Sequence, residues 1–145
     1  MDDQNDATAP IDWEAFSRAR AELGAGFVRI LGYFREDGEK AVGKIEEAMQ
    51  RGDAAGLVIP AHTMKSEARQ FGAEALGLLA EEIEFAARRA VESRLFPDDI
   101  LPQVARLRPL YLATIDRLEK ETNPLVARRP SGFDRDASNQ DFGRL

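Results

Sequence analysis

Apolar residues recur along the chain in steps of three, four and seven, and no segment alternates every second residue, so the pattern predicts helices and no strand. Ile11 to about Leu23 reads as a short helix with Asp12 as N-cap. Trp13, Phe16 and Ala19 or Arg20 fall on one side of it, which suits a lid on a larger bundle. From Gly24 to about Gln50, Phe27, Leu31, Phe34, Ala41, Ile45 and Ala48 mark one long amphipathic helix. Gly38 within it predicts a bend or soft spot, because glycine costs a helix interior about 1 kcal/mol relative to alanine. Arg51-Gly52-Asp53 then supplies a stop, a glycine C′ position and a new N-cap.

The next helix, about 53–70, carries Leu57, Ala61, Met64, Ala68 and Phe71 on its apolar stripe, and Gly72 closes it. A third long helix, about Ala73 to Arg94, places Leu76, Leu79 or Ala80, Ile83, Ala87 and Val91 inward. After a turn and cap at Phe96-Pro97-Asp98-Asp99, the residues Ile100, Val104, Leu107, Tyr111, Ile115 and Leu118 define a fourth. Pro60 and Pro109 lie inside helical patterns and are expected to kink their helices or remove a backbone hydrogen bond. Four long helices with short connections fold most simply as an all-α, antiparallel up-down-up-down four-helix bundle, with the short N-terminal helix as lid. Residues 1–10 then form a flexible lead, 11–122 the bundle, and 123–145, rich in Arg, Asp, Ser, Gly and Pro without apolar periodicity, a mobile tail.

Composition narrows the chemistry. The 145 residues and 43% hydrophobic content suit a single globular domain. A formal net charge of -6 argues against nucleic acid and anionic membranes as partners. The acidic start MDDQNDATAPID does not suit a secretory signal and no apolar run reaches membrane-spanning length, so the cytoplasm is the expected location. With no cysteine and one histidine, thiol and zinc chemistry are nearly excluded and no cofactor or metal of the chain's own is expected.

That one histidine, His62, lies in IPAHTMKSEARQFGA, residues 59–73. At about 100° per residue it stands beside the stripe of Ala61, Met64, Ala68 and Phe71, at the edge of the seam. Lys65 and Arg69, three and seven residues on, project from roughly the same side, with Ser66 between them. A lone helical histidine is usually a solvated surface residue, and the lysine and arginine fit an ordinary solvated face equally well. The combination nonetheless suits phosphoryl transfer. An unperturbed imidazole titrates near pH 6.5 and offers a nucleophilic lone pair at neutral pH. Lys65 opposes protonation of the ring and can bind phosphoryl oxygens by charge-assisted hydrogen bonds. The small side chains of Ala61 and Ser66 let a partner approach. No Gly-rich phosphate loop or kinase motif is present, so the phosphoryl group must come from another protein.

The stretch AHTMKSEARQFGA resembles the signature of histidine-containing phosphotransfer domains: a histidine, a lysine three residues later, a small residue, and a Gly-Ala pair about ten residues on. The resemblance extends, through the helical pattern, over most of the chain. It implies a relay in which His62 accepts phosphate from a receiver-domain aspartyl phosphate and passes it to the aspartate of another receiver. The implied partners are receiver domains of response regulators and of a hybrid histidine kinase, with magnesium needed only in the receiver; a closed four-helix core does not itself demand a partner subunit, so a monomer is expected. Lys65 would neutralise the phosphohistidine, and Gly72 would sit where the helix turns tightly. By register, Glu84 faces the ring and could accept a hydrogen bond from its inner nitrogen, while Arg88 could assist the phosphate. A helix-surface ion pair between the two is the equal alternative. Ile59, Thr63, Met64, Ser66, Arg69 and Gly72 are the candidate docking residues. The family most often has glycine directly after the lysine, where this chain has Ser66, and Pro60 is a second local feature of this sequence.

Two other readings compete. In one, the bundle is an adaptor that docks receivers or other signalling proteins without being phosphorylated; Lys65 and Gly72 beside the histidine count against it. In the other, the chain is the phosphoacceptor part of a histidine kinase, but there an acidic residue typically follows the histidine, and here Thr63 does.

Overall fold

The computed structural model describes residues 10–96 and 98–122, so the expected tail, all but the last residue of the lead, and Pro97 lie outside the described residues. Every element among the described residues is helical: α1 (Trp13–Leu23), α2 (Phe27–Arg51), α3 (Ala54–Gln70), α4 (Glu74–Ser93) and α5 (Leu101–Thr122), with 3-10 turns at Gly24–Gly26 and Asp98–Ile100. The chain divides into two compact units, Met1–Ile115 and Asp116–Leu145. Within the second, Asp116 pairs with Lys120 at 3.1 Å, and the Thr122 hydroxyl donates to the Leu118 carbonyl at 2.6 Å. All that follows concerns the first.

Helix boundaries follow local chemistry. The Asp12 carboxylate accepts from the amides of Glu14 and Ala15 and so satisfies two of the donors orphaned at the start of α1. Gly52 ends α2 at φ +67°, in the left-handed region that favours glycine, and Asp53 opens α3 by accepting from the Gly56 amide at 2.9 Å. The apolar stripes close onto one core: Leu57, Ala61, Met64 and Ala68 of α3 meet no solvent, and neither do Leu76, Ala80, Ile83 and Ala87 of α4. Both Leu79 and Ala80 are buried, whereas Val91, expected inside, is 45% exposed because the buried stripe of α4 ends at Ala90, and the next residue is turned about 100° away from it.

Side-chain contacts give the directions of neighbouring helices. Ion pairs from His62 and Lys65 to Glu84 and from Arg69 to Glu81 run α3 against α4 as an antiparallel hairpin. Phe34 stacks on Phe71 at one end of α2 and α3, and Ala48 flanks Gly56 at the other, so these two are antiparallel as well. Arg108 of α5 reaches Glu46 and Glu39 of α2. Gly38 does not interrupt α2, which continues through it, and a Cβ there would strike the Tyr111 ring. The glycine is there to seat that ring, whose hydroxyl donates to the Arg35 carbonyl. Likewise α3 and α5 continue through Pro60 and Pro109.

Candidate functional site

The stripe that buries α3 also aims His62. With Ala61 and Met64 fixed in the core, the residues just beside them on the α4 side are His62 and Lys65, and Arg69 continues the row one turn later. On α4, Ile83 and Ala87 are core positions, which places Glu84 at the same seam, 2% exposed. The antiparallel hairpin brings the two rows together.

Glu84 is the hub. Its Oε2 lies 3.1 Å from His62 Nδ1, 3.0 Å from Arg88 Nε and 2.9 Å from Arg88 Nη2, while its Oε1 lies 2.9 Å from Lys65 Nζ. The Lys65 ammonium also sits 5.3 Å from the centroid of the Phe85 ring, a cation–π contact that covers the stem of the lysine. The imidazole and Arg88 are half exposed; Lys65 is largely covered. Next along the row, Arg69 Nη2 holds Glu81 Oε1 at 2.9 Å. Gly77 makes that reach possible, since a Cβ there would come within 3.0 Å of Arg69 Cγ.

The charge state of Glu84 decides which ring nitrogen carries the proton. Burial pushes the Glu84 carboxyl up, but hydrogen bonds from Lys65, Arg88 and His62 outweigh it and hold the group down at about 2. At neutral pH Glu84 is therefore a carboxylate and can only accept hydrogen bonds. In a neutral imidazole that requires the proton to be on Nδ1, which leaves the lone pair on Nε2. A half-exposed ring with its tautomer fixed and two cations within the same cluster can deliver Nε2 to an electrophile and meet the negative charge that arrives with it.

The structure thus brings His62, Lys65, Glu84 and Arg88 into one cluster. Glu84 and Arg88 are not the helix-surface ion pair given as the alternative, because Glu84 is buried and shared among three side chains. Of the candidate docking residues, Ile59 is 69% exposed and Thr63, Ser66 and Arg69 also reach the surface. Met64 and Gly72 do not. Met64 is fully buried in the core, as is Ala61, expected to ease a partner's approach. Gly72 is buried beneath the start of α1, at φ +79°; its carbonyl accepts from the Asp12 amide at 2.7 Å, and a Cβ on it would strike the Asp12 carbonyl. Its role is to turn the chain. Sequence reasoning missed Phe85 and Glu81, each of which lies on the polar edge of α4 within a turn of Glu84. It also missed a groove of about 210 Å³ on the other flank of α3, lined by Asp37, Lys40, Ala41 and Lys44 of α2 and Ile59, Pro60 and Thr63 of α3. The i, i+4 pair Lys40 and Lys44 was the available signal.

No helix among the described residues is long and apolar enough to cross a membrane. Comparison with curated proteins finds no match. Among solved structures, the fold is similar to the crystal structure of histidine-containing phosphotransfer protein B (HptB) from Pseudomonas aeruginosa PAO1, with a TM-score of 0.53 and 24% identity over 74% of this chain and 95% of that one. The model of the Hpt domain family matches residues 29–121. That match takes in α3, α4 and every member of the Glu84 cluster, and on it the chain belongs to the Hpt domain family.

Proposed function

We propose that the protein is a phosphorelay intermediate in which His62 accepts a phosphoryl group from a receiver-domain aspartyl phosphate and passes it to a second receiver. The observation that carries this is the bond from His62 Nδ1 to the ionised Glu84, which leaves Nε2 as the nucleophile on a half-exposed ring. In the step, the Nε2 lone pair attacks phosphorus, the P–O bond to the receiver's aspartate breaks, and that carboxylate leaves. The ring keeps its Nδ1 proton and becomes an imidazolium, whose charge faces Glu84. Attack by the second aspartate reverses the sequence and returns the lone pair to Nε2. Lys65 and Arg88, already gathered by Glu84, neutralise the phosphoryl oxygens. Magnesium belongs to the receiver, and the chain needs no ATP site of its own.

The scaffold that serves this is an antiparallel up-down-up-down bundle of α2, α3, α4 and α5 with α1 as lid, working as a cytoplasmic monomer. Its partners are receiver domains of response regulators and of a hybrid histidine kinase, docking on Ile59, Thr63, Ser66 and Arg69 around the imidazole. The test is incubation with a radiolabelled, phosphorylated receiver domain beside a His62→Gln variant. Acid-labile label on the wild type alone is expected, with the variant's folding stability within about 0.5 kcal/mol, as for an exposed helical position. Receiver binding without any label would instead make the protein a non-phosphorylated adaptor.

A further inference from the structure

The groove between α2 and α3 is ordered by charge. Along α2 its rim runs Lys44, Lys40, Asp37, in steps of four and three that keep all three on one face. Along α3 it is lined by Ile59, Pro60 and Thr63, and Glu67 follows Thr63 at a step of four. Lys44, Lys40 and Asp37 all line the same cavity as Ile59 and Thr63, next to His62, and because the helices are antiparallel Asp37 stands at its far end, where its carboxylate acts on Glu67. Burial and the Asp37 carboxylate together push the Glu67 carboxyl above its ordinary range, so two interacting acids stand at this end. The two ends are separated by the seven residues from Lys44 to Asp37, about 10 Å along the helix. At the basic end, the 69% exposed Ile59 supplies an apolar contact.

We infer that this groove fixes the orientation of a docking receiver: Lys40 and Lys44 take an acidic group of the receiver's surface, Ile59 an apolar one, and Asp37 with Glu67 a basic group about two helical turns away. The inference rests on the reading of His62 as phosphoacceptor and adds what that reading leaves open, namely which receivers fit and which way round. Orientation matters because transfer requires an in-line approach of the acyl phosphate to Nε2, and an interface held by apolar contact alone does not exclude the reversed pose. Charges at a rim also steer encounter, so the groove should act on the association rate and its salt dependence.

The test is binding of a panel of purified receiver domains from the same organism to the chain in a His62→Gln background, which separates docking from transfer. Three variants are compared with the parent: Lys40→Glu with Lys44→Glu; the full inversion that adds Asp37→Lys and Glu67→Lys; and Arg106→Glu on α5 as control, with folding of each checked by circular dichroism. The full inversion leaves net charge unchanged, so it isolates order from overall attraction. For a receiver that binds the parent, the first two variants are expected to weaken binding at least tenfold and to flatten its salt dependence, and the control to leave both alone. Unchanged binding by the inverted groove, equal loss in the control, or no receiver bound by the parent would each overturn the inference. Groove-sensitive binding together with absence of label on wild-type His62 would sink the phosphoacceptor reading and leave the groove standing.

Discussion

Two clusters of charge hold helices together in this protein, and they are built in opposite ways. On the α2–α5 face, one guanidinium serves two carboxylates: Arg108 grips Glu46 through Nε and Nη2, at 3.0 and 2.9 Å, and Glu39 through Nη1 at 3.1 Å. On the α3–α4 face, one carboxylate serves an imidazole, an ammonium and a guanidinium. The first cluster has a fork-shaped donor set used up by its partners and a net negative charge, and it lies at a partly exposed surface. The second hides its only anion and turns its surplus donors outward. A saturated cluster ties helices; one with cationic charge to spare can also receive an anion.

The sharpest way to break this contrast is to remove the hub. Glu84→Ala leaves the largely covered Lys65 without its partner, and we expect about 2 to 4 kcal/mol of lost stability in denaturant unfolding, together with a drop of at least tenfold in the rate of phosphoryl acceptance. Glu84→Gln should keep more of the stability but still slow acceptance, because an amide can donate as well as accept and no longer dictates the ring's tautomer. Next comes Lys65→Ala, expected to slow transfer or shorten the phosphohistidine lifetime by about tenfold without abolishing label; wild-type behaviour here would refute the charge argument. A smaller effect comes from pH. The folded Glu84 carboxyl, at about 2, lies below the ordinary glutamate value near 4.3, so its contribution to stability is complete above that value and fades as pH falls toward 2. Acid unfolding of Glu84→Gln should accordingly be less steep than that of the wild type between about pH 4.5 and 2. The least disturbance is predicted for Arg108→Ala, which should cost about 0.5 to 1 kcal/mol, the range of exposed ion pairs, and leave transfer rates unchanged.

The same contrast explains what could be read in advance. Helix spans and the caps at Asp12 and Asp53 follow from local spacing, because a helix converts separation in sequence directly into angle. The edge position of His62 is legible for that reason, whereas Glu84 and Arg88 need the family resemblance to set the next helix beside the ring before register can pick them. Met64 and Gly72 were misassigned to a docking surface because nearness to His62 in sequence does not tell the buried side of a helix from the exposed one. Helix propensity predicts a soft spot at Gly38, while the ring that requires a glycine there, Tyr111, lies on another helix. Arg108 and Glu46, 62 residues apart, carry no local signal at all. Contacts of that kind are set by which helices adjoin, and periodicity within one helix is silent about its neighbours.

Rings link α1 to the rest of the first unit in a continuous chain. Trp13 meets Phe16 edge-on at 5.1 Å, Phe16 meets Phe27 at 5.4 Å, Phe27 meets Phe71 at 5.6 Å, and Phe71 stacks on Phe34. Trp13 is the sole tryptophan of the sequence and stands at the outer end of that chain, while Phe71 caps the helix that bears the histidine. The protein therefore carries its own optical gauge: indole emission, excited selectively, reports whether the N-terminal segment is seated on the turn beyond the histidine's helix, with no label attached.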